Sequence, residues 1–123
     1  MSGRSYEGIA VNVGDQVSIM GSVISTSGNA AHTQTVLVQE LFGVYTFTIQ
    51  GADSTAAQHP SATGRPAMSH DGKLYGVAGD SISSHGVVTA VTGSGASAKL
   101  TVKLDFSGLV VTVSAGSCHC NGA

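Results

Sequence analysis

Charged residues are scarce in this sequence, and tryptophan is absent. Asp, Glu, Lys and Arg make up 10% of the 123 residues, and the net charge is −2. The Lys and Arg residues are scattered, whereas nucleic-acid-binding surfaces need clustered cations. No apolar run has the length of a transmembrane helix, and the first residues lack the apolar core of a secretory signal. We therefore expect no nucleic-acid partner, no membrane association and no signal peptide.

The shortage of charge also bears on the state of the protein in solution. A free, soluble monomer normally relies on surface charge for its solubility. The chain has the length of one domain with a single core, and its low charge is more natural for a subunit whose faces are covered by neighbours. We therefore expect a homo-oligomer.

The abundant residues favour β-strands. Ser and Thr are abundant, Val is the most frequent large apolar residue, and β-branched side chains suit a pleated surface. No helical period persists beyond two turns, and short alternating runs are separated by glycine-containing turns. The pattern predicts an all-β fold, a single compact barrel or sandwich of two similar antiparallel meanders. We assign a first meander to 9–51, a connector loop to 52–72, a second meander to 73–116 and a polar, irregular tail to 117–123.

A sequence frame occurs twice, at 14–28 and at 79–93. Both copies read Gly-Asp, one variable residue, Val or Ile, Ser, and then glycines at matching places, with an offset of 65 residues. Matching glycines indicate matching turns, bulges or close backbone approaches. The frame predicts an internal duplication whose structural turn residues are Gly14, Asp15, Gly21, Gly28, Gly79, Asp80, Gly86 and Gly93.

The alternation of apolar and polar residues differs between the two copies at one place. At the same offset Val36 and Val38 fall opposite Thr101 and Lys103, which reverses the apolar alternation. A one-residue shift restores the pattern, and a bulge in one copy would account for it.

No catalytic signature is present, so we expect no enzymatic activity and no cofactor. Asp15 and Asp80 could form a general acid–base pair, but Gly-Asp before a strand is typical of a turn whose carboxylate binds local backbone N–H groups. The turn interpretation is the stronger one.

The Cys-His-Cys sequence at Cys118, His119 and Cys120 is the most unusual local feature. Three interpretations are open. The thiols of Cys118 and Cys120 are candidates for intersubunit cross-links. Alternatively, a metal site could be formed by Cys118, His119 and Cys120 together with His85, because thiolates and imidazoles suit zinc or iron. The tail could also be chemically inert.

The segment 65–91 resembles the small capsid decoration, or cement, proteins of tailed bacteriophages. The similarity rests on Asp-Gly-Lys-Leu at 71–74, Ala-Gly-Asp at 78–80 and Gly-Val-Val at 86–88, followed by the strand-like 100–104. The resemblance implies a small, β-rich, non-enzymatic structural protein. It implies a homo-oligomer, often a trimer, seated on the major capsid protein or other virion proteins. It also implies that the protein is made in the host cytoplasm and located in the virion.

A second resemblance is to the Pro-Ala-Ala-Arg spike-tip proteins of contractile tails. It rests on Gly-Asp, His-Gly and Gly-Ser at 79–80, 85–86 and 93–94. It implies a tail spike or tip protein with a His/Cys metal site, although the Gly-Arg-Pro-Ala sequence at 64–67 lies farther from 79–80 than in that family. A third alternative is a module for a host surface or sugar that uses the connector at 52–72, for which the chain has few aromatic residues to stack on sugar rings.

Overall fold

Alternating apolar and polar residues form strands throughout the protein. The computed structural model describes residues 2–56 and 63–121. The strands are β1 (Gly3–Arg4), β2 (Ala10–Val11), β3 (Gln16–Ser27), β4 (Thr35–Glu40), β5 (Thr46–Gln50), β6 (Ser54–Ala56), β7 (Ala67–Met68), β8 (Leu74–Tyr75), β9 (Ser81–Thr92), β10 (Lys99–Leu104), β11 (Val110–Ser114) and β12 (Cys118–Cys120). The described residues contain three 3-10 turns, at Ala31–Thr33, Gly51–Asp53 and Ala115–Ser117, and no α-helix. No helix in these ranges is long and apolar enough to cross a membrane.

The two longest strands, β3 and β9, form the centre of the main sheet. They pair antiparallel, and the strand order is β11-β10-β9-β3-β4-β5. The outermost strands, β5 and β11, also contact one another, so the sheet is a nearly closed barrel. Two small hairpins, β1-β2 and β7-β8, lie outside this sheet. The prediction of an all-β barrel built from antiparallel meanders is confirmed.

The internal duplication extends over every strand. β1 to β6 recur in order as β7 to β12, and the counterparts Gly3–Arg4 and Ala67–Met68 are 64 residues apart. The central strands alone keep the offset of 65, from Gln16 to Ser81. The loop before β9 is one residue longer than the loop before β3, and the loop after β9 is one residue shorter. The repeat is therefore interrupted by two compensating loop changes.

A bulge in one copy does not explain the phase mismatch, because both copies contain the bulge. Ile24 is the extra residue of β3 opposite β4, between the paired Val23 and Ser25. Thr89 is the extra residue of β9 opposite β10, between Val88 and Ala90. Ile24 and Thr89 are themselves 65 residues apart, so the bulge is a shared feature of the duplicated unit.

The two halves exchange their last strands across an approximate two-fold axis. β6 of the first half pairs with β9, and β12 of the second half pairs with β3. The equivalent residues Ile19 and Ser84 face each other in the β3–β9 pair, which places the axis there. The expectation of an irregular tail is wrong for 117–121, because the exposed edge of β3 supplies backbone partners for β12. The connector also contains β6 and β7, and its residues 57–62 lie outside the described part of the chain.

Most of the core is aliphatic, but two buried carboxylates join its parts. Glu40, 1% exposed, ends β4 and accepts hydrogen bonds from the Tyr45 N–H (3.0 Å), the Ser114 N–H (2.7 Å) and the Ser114 hydroxyl (2.8 Å). Because Ser114 ends β11, this carboxylate links the two sides where the barrel closes. Asp53 accepts from the N–H groups of Phe106 and Ser107 and thereby joins the two halves.

The frame glycines fall into two groups. Gly14, Gly28, Gly79 and Gly93 have positive φ angles and lie at turns. Gly21 and Gly86 lie inside β3 and β9, so the expectation of a turn is wrong for them. A Cβ at Gly21 would lie 2.7 Å from the Gln39 carbonyl oxygen, and one at Gly86 would lie 2.5 Å from the Lys103 carbonyl oxygen. Close approach to the neighbouring strand requires glycine at these two positions.

Candidate functional sites on either side of the two-fold axis

Corresponding backbone contacts create two equivalent surface regions, one beside each central strand. The Asp105 N–H donates to the His85 carbonyl, and the Leu41 N–H donates to the Met20 carbonyl, both at 3.0 Å. The Phe106 N–H donates to the Asp53 carboxylate at 3.1 Å, and its counterpart is the bond from Phe42 N–H to the Ser117 hydroxyl at 2.7 Å. The backbone therefore identifies equivalent positions without reference to side-chain type.

A third pair of contacts completes the correspondence. The His70 N–H donates to the Ser54 carbonyl at 2.7 Å, and the Tyr6 N–H donates to the Cys118 carbonyl at 2.8 Å. The equivalent pairs are thus His85 with Met20, His70 with Tyr6, Asp105 with Leu41, Phe106 with Phe42, and Asp53 with Ser117. Similar backbone scaffolds therefore carry polar, ionisable side chains on one side of the axis and mainly apolar ones on the other.

The polar side forms a depression of about 410 Å³, which we call the polar cleft. It is lined by Gln16, Ala52, Asp53, His70, His85, Asp105 and Phe106. Two strands, one 3-10 turn and two loops contribute these residues. The cleft therefore forms only when both halves of the duplication are folded together.

His85 is held at the edge of the cleft by hydroxyl groups on both ring nitrogens. Its Nδ1 lies 3.0 Å from the Ser18 hydroxyl, and its Nε2 lies 3.1 Å from the Thr55 hydroxyl. The Asn121 side-chain amide donates to the Ser18 oxygen at 2.8 Å. Burial lowers the pKa of His85, so the imidazole is neutral at neutral pH. The ring is fixed in orientation and carries no charge there.

The acidic groups of the cleft differ in their availability. Asp53 is buried, and its oxygens accept hydrogen bonds from three backbone N–H groups, including that of Gln50 at 2.8 Å. Asp105 is exposed, and one of its oxygens accepts a 2.7 Å hydrogen bond from the Gln16 side-chain amide. Asp53 therefore supports the local structure, whereas Asp105 and Gln16 present an oriented carboxylate–amide pair to solvent.

The equivalent region on the other side is apolar. Its large side chains are Tyr6, Leu41 and Phe42, with Val44 in the same loop, and they are 63%, 56%, 48% and 61% exposed. We call these four residues the apolar patch. Tyr6, Leu41 and Phe42 line a depression of about 220 Å³. The Phe42 ring lies over Gly116, where an added Cβ would be 3.1 Å from it. The Phe42 ring is thus packed against the backbone of the fold.

The Cys-His-Cys segment does not form a metal site within this chain. Cys118 and Cys120 pack against the core, whereas His119 points to the outer face between its neighbours on β3. His85 lies in line with His119 on that face, but Ser18 on β3 stands between them. No group of three or more His, Cys, Asp or Glu residues within 2–56 and 63–121 is placed to hold a metal ion. The four predicted ligands are therefore divided between the two faces of the sheet.

The two thiols also differ in reactivity. Both are free, but Cys118 is fully buried, and burial raises its pKa to about 12. Cys120 is half-buried, with its sulfur 3.7 Å from the Asp15 carboxylate. A thiolate is the species that forms a disulfide. Of the two cross-link candidates, only Cys120 is therefore accessible in the folded chain.

The remaining predicted residues have local roles. His119 pairs with the Glu7 carboxylate and contacts the Tyr6 ring edge-on. Hydrogen bonds from Ser5, and then from His119, lower the pKa of Glu7 to about 2. Asp15 accepts from the Asn12 N–H in its turn. Asp80 accepts from two backbone N–H groups and forms a bidentate ion pair with Arg65. The two aspartates are in separate turns and do not form an acid–base pair.

Sequence reasoning singled out His85 and the connector 52–72, which supplies Ala52, Asp53 and His70, but it missed Gln16, Asp105 and Phe106. At the offset of 65, Asp105 stands opposite Glu40 and looks like a shared acid. At 64, which the hairpins and outer strands follow, Asp105 stands opposite Leu41 and His70 opposite Tyr6. Aligning the copies segment by segment would have exposed these contrasts. Comparison with protein-family models, with curated proteins and with solved structures finds no match to this chain.

Proposed function

We propose that this protein is a non-enzymatic virion structural protein, a capsid decoration subunit that acts as a homo-oligomer. The apolar patch carries this proposal. It exposes four large apolar side chains on a chain of which only 10% of the residues are charged. Contiguous exposed apolar surface is typical of protein–protein contact sites. The resemblance of 65–91 to decoration proteins supports the virion setting.

The occupant of the apolar patch in this proposal is a second copy of the same chain. A net charge of −2 produces little repulsion between copies. The four residues of the patch are uncharged, and the Glu7–His119 pair lies only at its Tyr6 edge, so Leu41 and Phe42 suit an equally uncharged surface. Burial of Leu41 and Phe42 against a neighbour contributes about 25 cal/mol for each Å² of apolar surface removed from water. The trimer implied by the resemblance is one arrangement that such contacts would build.

Cys120 supplies the covalent part of the proposal. One accessible thiol in each chain can join two copies, which is fewer bonds than a fully linked trimer requires. In an extracellular particle such a bond would persist. We therefore propose Cys120 as an intersubunit staple between pairs of subunits, with Cys118 as part of the core.

Sedimentation velocity over a range of concentrations tests the self-association. The informative variant is Leu41→Asp, because aspartate already occupies the equivalent position 105 of the same fold. We expect oligomers for the wild-type protein and a shift to monomer for Leu41→Asp. The control is Val110→Thr, which removes an exposed valine outside the patch and introduces the residue of the equivalent position 46. A wild-type protein that stays monomeric at all concentrations would refute the proposal.

A further inference from the structure

We infer that the polar cleft is a binding site for a neutral, hydroxyl-rich ligand, namely one sugar unit of a glycan. The first observation is size and shape. The cleft encloses about 410 Å³, which lies within the range of about 300–1,000 Å³ for small-molecule sites. The cleft lies beside the central strands β3 and β9, and a 3-10 turn and two loops form its sides. Because these segments are attached to the barrel, the barrel determines the shape of the cleft.

The second observation is the chemistry of the lining. Asp105 and Gln16 orient each other through a 2.7 Å hydrogen bond, which leaves the second carboxylate oxygen of Asp105 as an acceptor and the second amide N–H of Gln16 as a donor for the hydroxyls of a sugar ring. Phe106 is 52% exposed and offers an apolar ring face beside this pair. A sugar ring presents C–H groups on one face and hydroxyls at its edge, so both features can be used together.

The same lining disfavours other ligand classes. No Lys or Arg lines the cleft, and two carboxylates do, so an anion such as phosphate has no cationic partner. No group of three metal ligands exists within the described residues. His85 is neutral at neutral pH because burial lowers its pKa, and both of its ring nitrogens contact the Ser18 and Thr55 hydroxyls, so it offers no positive charge to an anionic ligand. Asp53 is already bound by three backbone N–H groups and Asp105 by the Gln16 amide, so a neutral polar molecule fits the cleft better than an organic cation.

The third observation is the contrast with the other half of the duplication. The barrel is built equally well with Met20, Leu41 and Tyr6 in the equivalent positions. His85, Asp105 and His70 are therefore not required by the shared architecture. The ionisable and polar groups are gathered in only one of the two equivalent depressions. A ligand-binding role for that half of the protein explains this difference.

The test is a titration of the full-length, ¹⁵N-labelled protein followed by two-dimensional NMR. The probes are methyl β-D-glucopyranoside, methyl α-D-mannopyranoside and N-acetylglucosamine, with choline as the cationic comparison. We expect at least one sugar to shift the amide signals of Asp105, Phe106 and His70 in a saturable way, and choline to shift none of them. Absence of saturable shifts with all three sugars, or shifts with choline alone, would overturn the inference.

Two variants locate the binding. Asp105→Leu introduces the residue that the barrel already carries at position 41, and Phe106→Ala removes the exposed ring. Loss of one hydrogen bond to a charged group corresponds to about a tenfold decrease in affinity, and we expect at least that for Asp105→Leu. Phe106→Ala removes apolar contact area and should also weaken binding. Val110→Thr serves again as the control, with unchanged affinity. Unchanged affinity in Asp105→Leu would also overturn the inference.

The sugar site and the proposed self-association are separable. Sedimentation of the same samples reports the oligomer, which depends on Leu41 and its neighbours. We expect the Asp105→Leu variant to lose sugar binding and to keep its oligomeric state. We expect the Leu41→Asp variant to become monomeric and to keep sugar binding. Either result can fail while the other holds.

Discussion

Glu40→Gln is the most informative perturbation of the barrel. The Glu40 carboxylate is 1% exposed and accepts three hydrogen bonds, two of them from backbone N–H groups. A glutamine side chain has the same shape but only one acceptor oxygen, so its NH₂ group must face the Tyr45 N–H or the Ser114 N–H. An unsatisfied buried donor costs about 1–3 kcal/mol, and the remaining bonds lose the strength that a charged acceptor gives them. We expect a loss of about 2–4 kcal/mol in the free energy of unfolding.

Urea denaturation followed by far-UV circular dichroism measures this loss. Self-association would make stability depend on concentration, so each protein is compared in the Leu41→Asp background. The control is Glu7→Gln, whose carboxylate is about one-third exposed and whose loss we expect to be smaller than that of Glu40→Gln. A double-mutant cycle with Ser114→Ala isolates the interaction across the barrel closure. If Glu40→Gln unfolds at the same urea concentration as the Leu41→Asp parent, the carboxylate does not hold β4 and β11 together.

Three further predictions address the glycines, the histidine and the thiols. Gly21→Ala and Gly86→Ala should each lower the free energy of unfolding by about 1–3 kcal/mol in the same denaturation assay, because their Cβ atoms would meet a backbone carbonyl. A loss of stability in only one of the two variants would contradict the equivalence of the halves. The lowered pKa of His85 means that the unfolded chain binds its proton more readily, so stability should fall as the pH drops through about 6.5. His85→Met should reduce this dependence in unfolding curves at several pH values, and an unchanged slope would rule out His85 as its source. A thiol reagent should modify Cys120 in the native protein and Cys118 only after unfolding; rapid labelling of both would mean that β12 detaches.

The sequence predicts the fold class well because the signals for it are local. Alternation along a strand, as in 44–50, and glycine at turns both act within a few residues. The duplication was visible for the same reason. The pairing of β6 with β9 and of β12 with β3 was not, since these three-residue strands carry too few residues to show a period. Their partners are chosen by the free edges of the central strands, which only the assembled sheet provides.

The polar cleft was harder to predict because its residues are far apart in sequence. Gln16 and Asp105 form their hydrogen bond across 89 residues, and nothing in the local sequence of either indicates the other. The predicted metal ligands do not come together in the structure, for a related reason. Adjacent residues on a strand point to opposite faces, so Cys118 and His119 diverge once β12 joins the sheet. This divergence follows from the sequence once the segment is extended, but the position of His85 on the face away from the thiols follows only from the assembled sheet.

The proposed function requires that this chain be a component of virus particles, and its copy number in purified particles is the most direct test. Quantitative mass spectrometry against isotope-labelled peptides of this chain and of the major capsid protein gives that ratio. A decoration subunit predicts hundreds of copies in each particle, in a fixed ratio to the capsid protein. A few copies in each particle would indicate a tail component instead, and its absence from the particle would contradict a virion role altogether.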